Sequence, residues 1–273
     1  MCRCLKISRA GYYKLIKKEK LNSKKNRKLE AELVKDIKEI FQASKKTYGS
    51  RRIKKELELK GKQVSRRKIR KIMKRECLES VYTKKKYKVQ SSKTNKEDLP
   101  NLLEQNFTID KPLKVIVADL TYIKVRNSWK YACIISDLFN REIIGYSVGE
   151  QKNANLVKLA FNNIKYRISD IEIFHTDRGS EFNNKLINDI LNLYNIKKSS
   201  SRPGCPYDNA VAESIFKAIK TEFVLQNTFK SLEELDLKLF DYINWWNKQR
   251  LHSTLGYVTP QSIRMQCSAS NLF

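Results

Sequence analysis

The chain has 273 residues and a mass of 32.1 kDa, which is enough for one large domain or two modest ones with a hydrophobic core. Its hydrophobic content of 41% excludes a disordered chain. The longest apolar runs are far too short to span a bilayer, and the opening residues lack the apolar segment of a signal peptide. We therefore expect a cytoplasmic protein with no membrane partner.

The positive charge is concentrated at the N-terminal end. Lys and Arg number 56 against 29 Asp and Glu, a formal net charge of +27. Residues 1–100 hold 34 basic and 11 acidic side chains, whereas residues 101–273 hold 22 and 18. A polyanion such as DNA is the expected partner of the first part, and the nearly neutral remainder has room for chemistry of its own.

Cysteine and histidine usage excludes two common small-domain designs. The six cysteines show no CxxC spacing, and both histidines lie far from the N-terminal cysteines. Neither a disulfide framework nor a zinc finger is expected.

The first segment, residues 1–44, is predicted to be an N-terminal helical region. Apolar residues recur there at helical spacing and leave Lys and Glu on the other face. These apolar residues are Leu29, Leu33, Val34, Ile37, Ile40 and Phe41.

Residues 45–83 favour a helix-turn-helix. Ile53 and Leu57 share one face of a first short helix, Gly61 supplies the break, and Ser65 can cap a second helix. A basic second helix suits placement against DNA, although a solvated basic face on a small helical bundle explains the same pattern. The second helix directs Ile69, Ile72 and Met73 inward and Arg66, Arg67, Lys68, Arg70 and Lys71 outward.

Beyond a basic linker at residues 84–108, the pattern changes to strands. The runs VIVADLTYIKV, WKYACIISDLF and REIIGYSVG predict three strands, and IEIFHTD and IKKSS predict two more. Helices are predicted over Asn153–Arg167, Asn183–Tyr194 and Asp208–Leu225. This order predicts an α/β fold, a mixed five-stranded sheet flanked by helices, as the core at residues 109–225, with a helical extension at 226–273.

Three acids stand where solvent-exposed charge is not expected. Asp119 interrupts an apolar strand, Asp177 follows the strand IEIFHT, and Glu213 lies in the first turns of the helix begun by DNAVAESIF. Taken singly, Asp119 also suits a hydrogen-bonded strand end, Asp177 a turn cap, and Glu213 an ordinary helix surface.

If the three carboxylates converge, their charge requires divalent cations. Oxygen-only ligands favour Mg²⁺ or Mn²⁺ over zinc. Two such ions activate a nucleophile and stabilise the leaving oxygen of an in-line displacement at phosphorus. With a basic region suited to DNA in the same chain, phosphodiester chemistry is the natural substrate class.

Asp119, Asp177 and Glu213, with 35 residues between the last two, form a pattern that resembles the DDE superfamily of transposases and retroviral integrases. The neighbouring segments DLTYI, HTDRGSEF, RPGCPYDNAVAESIFKAIKTE and NWWNKQRLHSTLGYVTP look like the OrfB product of the IS3 family of bacterial insertion sequences. SRAGYYKL, YGSRRI and VSRRKIRKIMKRECL extend the resemblance nearly end to end. Ile116 and Ala118 depart from the tryptophan and threonine common in this family.

The resemblance implies an RNase H-like core in which Asp119, Asp177 and Glu213 bind two Mg²⁺ or Mn²⁺ ions and catalyse the reaction. Lys220 matches a lysine that contacts terminal DNA in related integrases, and Lys217 shares its helix face with Glu213. The resemblance also implies that further residues near the core act on DNA: Asn209, Arg250 and His252. Helix capping explains Asn209 equally well, and packing is an alternative for His252. Trp245 and Trp246 are expected in the core.

The resemblance implies a DNA transposase of the bacterial cytoplasm, associated with the nucleoid, that nicks insertion-sequence ends and transfers the 3′-hydroxyl into target DNA. The alternatives are an RNase H-like nuclease that cuts without joining, and a DNA-binding regulator without catalysis. Expected partners are double-stranded DNA with terminal inverted repeats, further copies of the chain, and an upstream OrfA product or OrfAB fusion, a segment we do not find in this sequence.

Overall fold

The computed structural model describes residues 8–83, 100–202 and 205–270. The chain forms two compact units, Met1–Lys84 and Lys85–Phe273. Most of the linker predicted at residues 84–108 lies outside the described residues, since the description resumes at Pro100.

The first unit is helical. A long helix α1 (Arg9–Ala43) begins at Ser8, whose hydroxyl accepts a hydrogen bond from Gly11 N. Two short helices follow, α2 (Ser50–Leu59) and α3 (Arg66–Arg75), and a 3₁₀ turn spans Val81–Thr83. The three helices pack around an apolar centre formed by Leu33, Ile37, Ile40, Phe41, Ile53, Leu57, Ile69, Ile72 and Met73.

The turn between α2 and α3 has the chemistry predicted for it. Gly61 has a φ of +75°, a conformation that glycine adopts without a steric penalty. The Ser65 hydroxyl accepts a hydrogen bond from Lys68 N at 3.3 Å and caps α3. The outer face of α3 carries exposed basic side chains, so the predicted inward and outward faces are confirmed.

The second unit is built on a mixed sheet. Its strands are β1 (Val115–Val125), β2 (Ser128–Asp137), β3 (Ile143–Gly149), β4 (Ile173–Thr176) and β5 (Lys197–Ser200), arranged in the order β3-β2-β1-β4-β5. The first three strands pair antiparallel, and β4 and β5 join in parallel with β1. Parallel strands need crossover connections, and these carry helices here.

The connections into the parallel strands carry α4 (Ala154–Asn162) and α5 (Lys185–Leu193), and α6 (Ala210–Glu222) follows the last strand. The predicted order of three strands, helix, strand, helix, strand and helix is confirmed, and so is the α/β fold with a mixed five-stranded sheet. One apolar cluster joins the sheet to α4 and α5 through Phe161, Phe174 and Phe182, and another joins it to α6 through Ala212. No helix in the described ranges has both the length and the apolar character needed to cross a membrane.

Three of the predicted helices are longer than the helices in the structure. The first helix ends at Asn162 rather than Arg167, where the sequence NN has low helix propensity. The second begins only after Asn184, whose side chain accepts from Ile187 N. The third begins at Ala210, because the Asp208 carboxylate is engaged by Arg202 rather than by the helix, and it ends at Glu222.

The C-terminal extension is packed onto the sheet edge. It comprises α7 (Leu232–Lys248) and α8 (Pro260–Ser270). The Asn247 amide accepts from Ile143 N at 2.9 Å and donates to Ile143 O at 2.8 Å, so α7 satisfies backbone groups of the edge strand β3. Trp246 Nε1 donates to Arg141 O at 2.9 Å. Trp245 and Trp246 are buried, and their expected place in the core is confirmed.

Candidate active site

Two acids meet at the point where β1 passes the end of β4. Ala118 of β1 pairs in register with Thr176 of β4, and Asp119 and Asp177 are the next residues on each chain segment. Neighbouring strands lie about 4.8 Å apart, so the sheet itself places these carboxylates side by side. Residues 58 positions apart in sequence thereby become one acidic pair, which is the name used below for Asp119 and Asp177.

Burial and like charge act together on the acidic pair. Burial is the largest cause that raises the pKa of Asp119, to about 7, and the negative charge of Asp177 is the second. The hydrogen bond that Asp119 accepts from Leu120 N at 2.7 Å acts in the opposite direction and lowers this pKa. Burial also raises the pKa of Asp177, although Gly179 N donates to its Oδ1 at 3.0 Å. Two partly buried carboxylates that resist joint ionisation mark a place for added positive charge.

A third carboxylate, which the sequence reasoning missed, lies beside the acidic pair. Glu181 has only 3% of its side chain exposed, and its charge raises the pKa of both aspartates. Its carboxylate turns back over Gly179, where an added Cβ would lie 2.3 Å from Glu181 Oε1. The available signal was an acid four residues after Asp177, inside the same HTDRGSEF segment.

Lys152 supplies a cation at this carboxylate. Its Nζ lies 2.9 Å from Glu181 Oε1. Burial disfavours the charged amine, but the hydrogen bond to Glu181 and the charges of Asp177 and Asp119 outweigh it and raise the pKa of Lys152. The Lys152 side chain stays 45% exposed, so it can leave this position without crossing the core.

Glu213 is not brought to the acidic pair. It lies exposed in the first turn of α6, and burial alone raises its pKa, with no contribution from either aspartate. Across the described ranges, no three side chains of His, Cys, Asp or Glu are close enough to hold one ion. The carboxylate oxygens of the acidic pair nevertheless suit a hard divalent cation, because they are partly buried and repel one another.

Two predicted DNA-contacting lysines lie on α6. Lys217 is exposed, and Lys220 is partly buried. The Lys220 charge lowers the pKa of Asp119, so this amine lies within electrostatic reach of the acidic pair. Lys220 Nζ also lies 5.5 Å from the ring centre of Tyr122 on β1.

Asn209 lies at the N-terminus of α6, but its side chain makes no capping hydrogen bond, and its Oδ1 is buried without a partner.

The preceding residue, Asp208, holds the segment that leads into α6. Asp208 is fully buried and accepts from Arg202 Nε at 2.9 Å, from Arg202 Nη2 at 3.1 Å and from Gln105 Nε2 at 3.0 Å. The Arg202 guanidinium holds the pKa of Asp208 well below its usual range. The backbone oxygen of Asp208 contacts His175 Nε2 at 3.1 Å.

The structure buries Arg250 and His252, for which the resemblance implies contacts with DNA. They are 4% and 5% exposed, respectively. Arg250 Nη2 lies 2.6 Å from Glu222 Oε1, and its guanidinium stacks 4.3 Å from the ring centre of Trp246. His252 packs edge-on to the same ring at 4.6 Å. These side chains tie the end of α6 to α7, and a DNA phosphate cannot reach them without unpacking this junction.

In the first unit, Arg66, Arg67 and Arg70 are all exposed on α3. This is the outward basic face that the sequence predicts for a DNA-contacting helix.

Family models match three parts of the chain. An HTH-like domain matches residues 28–86, and integrase core domains match residues 110–206 and 213–267. The fold and these matches define the class as an integrase-core polynucleotidyl transferase with a helix-turn-helix-like region.

Relatives resemble the chain along nearly its whole length. A 31 kDa protein of insertion element IS600 from Shigella sonnei is 32% identical over 97% of both chains. The transposase of IS904 from Lactococcus lactis is 32% identical over 82% of this chain and 90% of its own. The transposase InsF of IS3A from Escherichia coli is 29% identical over 96% and 91%. The chain belongs to the IS3 family of DDE-type insertion-sequence transposases, enzymes of DNA transposition and integration.

A solved structure of the HTLV-2 integrase catalytic core with magnesium aligns at 17% identity with a TM-score of 0.44, over 55% of this chain and 94% of that one.

Proposed function

We propose that Asp119, Asp177 and Glu213 are the catalytic carboxylates of this transposase and hold two Mg²⁺ or Mn²⁺ ions. The observation that carries the proposal is the acidic pair, in which the register of β1 and β4 forces two partly buried carboxylates together. Bound divalent ions supply charge neutralisation, activation of the nucleophile and stabilisation of the leaving oxygen.

The protein's own residues then have separate tasks. The acidic pair provides fixed ligands on the rigid sheet, and Glu213 approaches from α6 when DNA and metal are present. Lys220 and Lys217 hold the phosphates of the insertion-sequence end, and Asn209 orients the backbone entering α6. Arg66, Arg67 and Arg70 bind the DNA backbone through α3.

Two successive in-line displacements at phosphorus account for the overall reaction. In the first, water cuts the strand at the element's end and leaves a 3′-hydroxyl. In the second, that hydroxyl attacks a phosphodiester of target DNA, forming one bond and breaking another. Two element ends are joined in one event, so we propose that at least two copies act together on DNA, with an upstream OrfA segment to recognise the terminal repeats.

The test is metal-dependent cleavage and joining of a labelled duplex that carries the element's end, with and without the upstream segment. Asp119→Asn, Asp177→Asn and Glu213→Gln should each lose both products and keep DNA binding. Cleavage without joining supports a nuclease, and DNA binding without any product supports a regulator.

Glu181→Gln is the informative companion variant, because Glu181 already lies beside the acidic pair. If Glu213→Gln stays active and Glu181→Gln does not, Glu181 replaces Glu213 as the third catalytic carboxylate.

A further inference from the structure

Two large aromatic side chains lie in contact on the exposed surface of the β1–β2 hairpin. Tyr122 is 39% exposed and Trp129 is 55% exposed, although both belong to the central strands of the sheet. Their ring centres are 5.2 Å apart at an interplanar angle of 85°. Register explains the contact, because Trp129 pairs with Lys124, two residues from Tyr122 on the same side of β1.

The hairpin extends beyond the rest of the sheet. The parallel pairing between β1 and β4 covers only Val115–Ala118, whereas β1 continues to Val125 in pairing with β2. Tyr122 lies three residues beyond Asp119, opposite the last β2 residue that pairs with β3, and Trp129 lies on the two-stranded end of the hairpin beyond it. Single exposed aromatics are ordinary on protein surfaces, but two in contact beside proposed catalytic carboxylates require an explanation.

Cations surround these rings. Lys220 Nζ lies 5.5 Å from the Tyr122 ring centre, and the same amine acts on the pKa of Asp119. Lys124 is exposed further along β1, and Arg126 is exposed in the turn that follows it. Exposed π-faces interleaved with positive charge form the combination that proteins use to hold unpaired nucleotides, with rings for the bases and cations for the phosphates.

We propose that Tyr122 and Trp129 form a stacking platform for an unpaired nucleobase of the DNA strand beside the scissile phosphate. This inference rests on the proposed function, since it takes the acidic pair as the place of the chemistry. Lys220 holds the adjoining phosphate and thereby links the base on the platform to the phosphodiester at the carboxylates. The occupant is a single-stranded segment rather than a duplex, because a paired base has no free face to offer an aromatic ring.

The experiment compares binding of a blunt duplex with binding of the same duplex ending in an unpaired thymine overhang, in EDTA so that no reaction occurs. Trp129→Ala should weaken binding of the overhang substrate about 5- to 150-fold, the range for loss of one stacked base. Binding of the blunt duplex should change little. Trp129→Phe should restore most of the preference. The matched control is Phe240→Ala, because Phe240 on α7 is an aromatic side chain that is 45% exposed.

A second readout is independent of affinity. Overhang DNA should quench the emission of the exposed Trp129, and Trp129→Phe should abolish this quenching because Trp245 and Trp246 are buried. Equal loss of blunt and overhang binding in Trp129→Ala overturns the proposal. So does a change in self-association of that variant in sedimentation, which assigns the pair to contacts between copies of the chain. Loss of metal-dependent joining in the catalytic variants is scored separately, so the two proposals fail independently.

Discussion

Replacing Asp119 by Asn should stabilise the metal-free protein, and increasingly so as the pH rises. Asn keeps the side-chain size and the oxygen that accepts from Leu120 N, but removes the charge that repels Asp177. The pKa of Asp119 is about 7 in the folded protein, whereas the ordinary pKa of an aspartate, expected in the unfolded chain, is 3.8. Between pH 3.8 and about pH 7, the folded protein holds a proton on Asp119 that the unfolded chain has already released. The free energy of unfolding therefore falls as the pH rises through this range, and the loss is complete above about pH 7.

This difference sets the expected magnitude. At 1.36 kcal/mol per pKa unit, the penalty on the wild-type protein is about 4 kcal/mol at pH 8 and about 2 kcal/mol at pH 5. The advantage of Asp119→Asn in the free energy of unfolding should therefore grow by about 2 kcal/mol between these pH values.

Urea unfolding in EDTA, followed by tryptophan emission, measures this advantage. All three tryptophans, Trp129, Trp245 and Trp246, belong to the second unit, so the signal reports the unit that contains Asp119. Asp189→Asn, on the exposed surface of α5, is the control and should change stability by less than about 0.5 kcal/mol. A pH-independent difference, or a wild-type protein more stable than the variant at pH 8, refutes the reasoning.

Three further predictions concern the contacts around the site. Arg250→Met should lower the free energy of unfolding by about 3–5 kcal/mol, because Glu222 is left buried without its cation. A variant of unchanged stability that binds DNA less tightly would instead support a DNA contact by Arg250. Asp208→Asn should lower the free energy of unfolding in urea by about 1–3 kcal/mol, because it weakens the hydrogen bonds from Arg202. An unchanged unfolding midpoint would show that the solvent-exposed Arg202 guanidinium contributes nothing to stability. Simultaneous Ala substitution of Arg66, Arg67 and Arg70 should reduce the slope of log affinity against log salt concentration by about 2.7, and Lys35→Ala on α1 is the control. An unchanged slope would show that α3 does not contact DNA.

The sequence by itself determined the local elements and the family. Runs of β-branched and aromatic residues specify β1, β2 and β3, and the spacing of Ile53, Leu57, Ile69 and Ile72 specifies two short helices with one apolar face each. Gly61 and Ser65 specify the turn between them, because their backbone and capping preferences act within a few residues. The spacing of Asp119, Asp177 and Glu213 carried the resemblance to the DDE enzymes.

Which residues meet depends on the tertiary fold. Strand register brings Asp119 to Asp177, and a loop that folds over Gly179 adds Glu181, for which the sequence offers only its place four residues after Asp177. Conversely, Arg250 has the residue type of a DNA contact, yet the packing of α7 against α6 places it on Glu222. Capping and periodicity depend on near neighbours in the chain, whereas burial and ion pairing depend on partners supplied by distant segments. A charged side chain therefore acquires its role only when the fold determines what surrounds it.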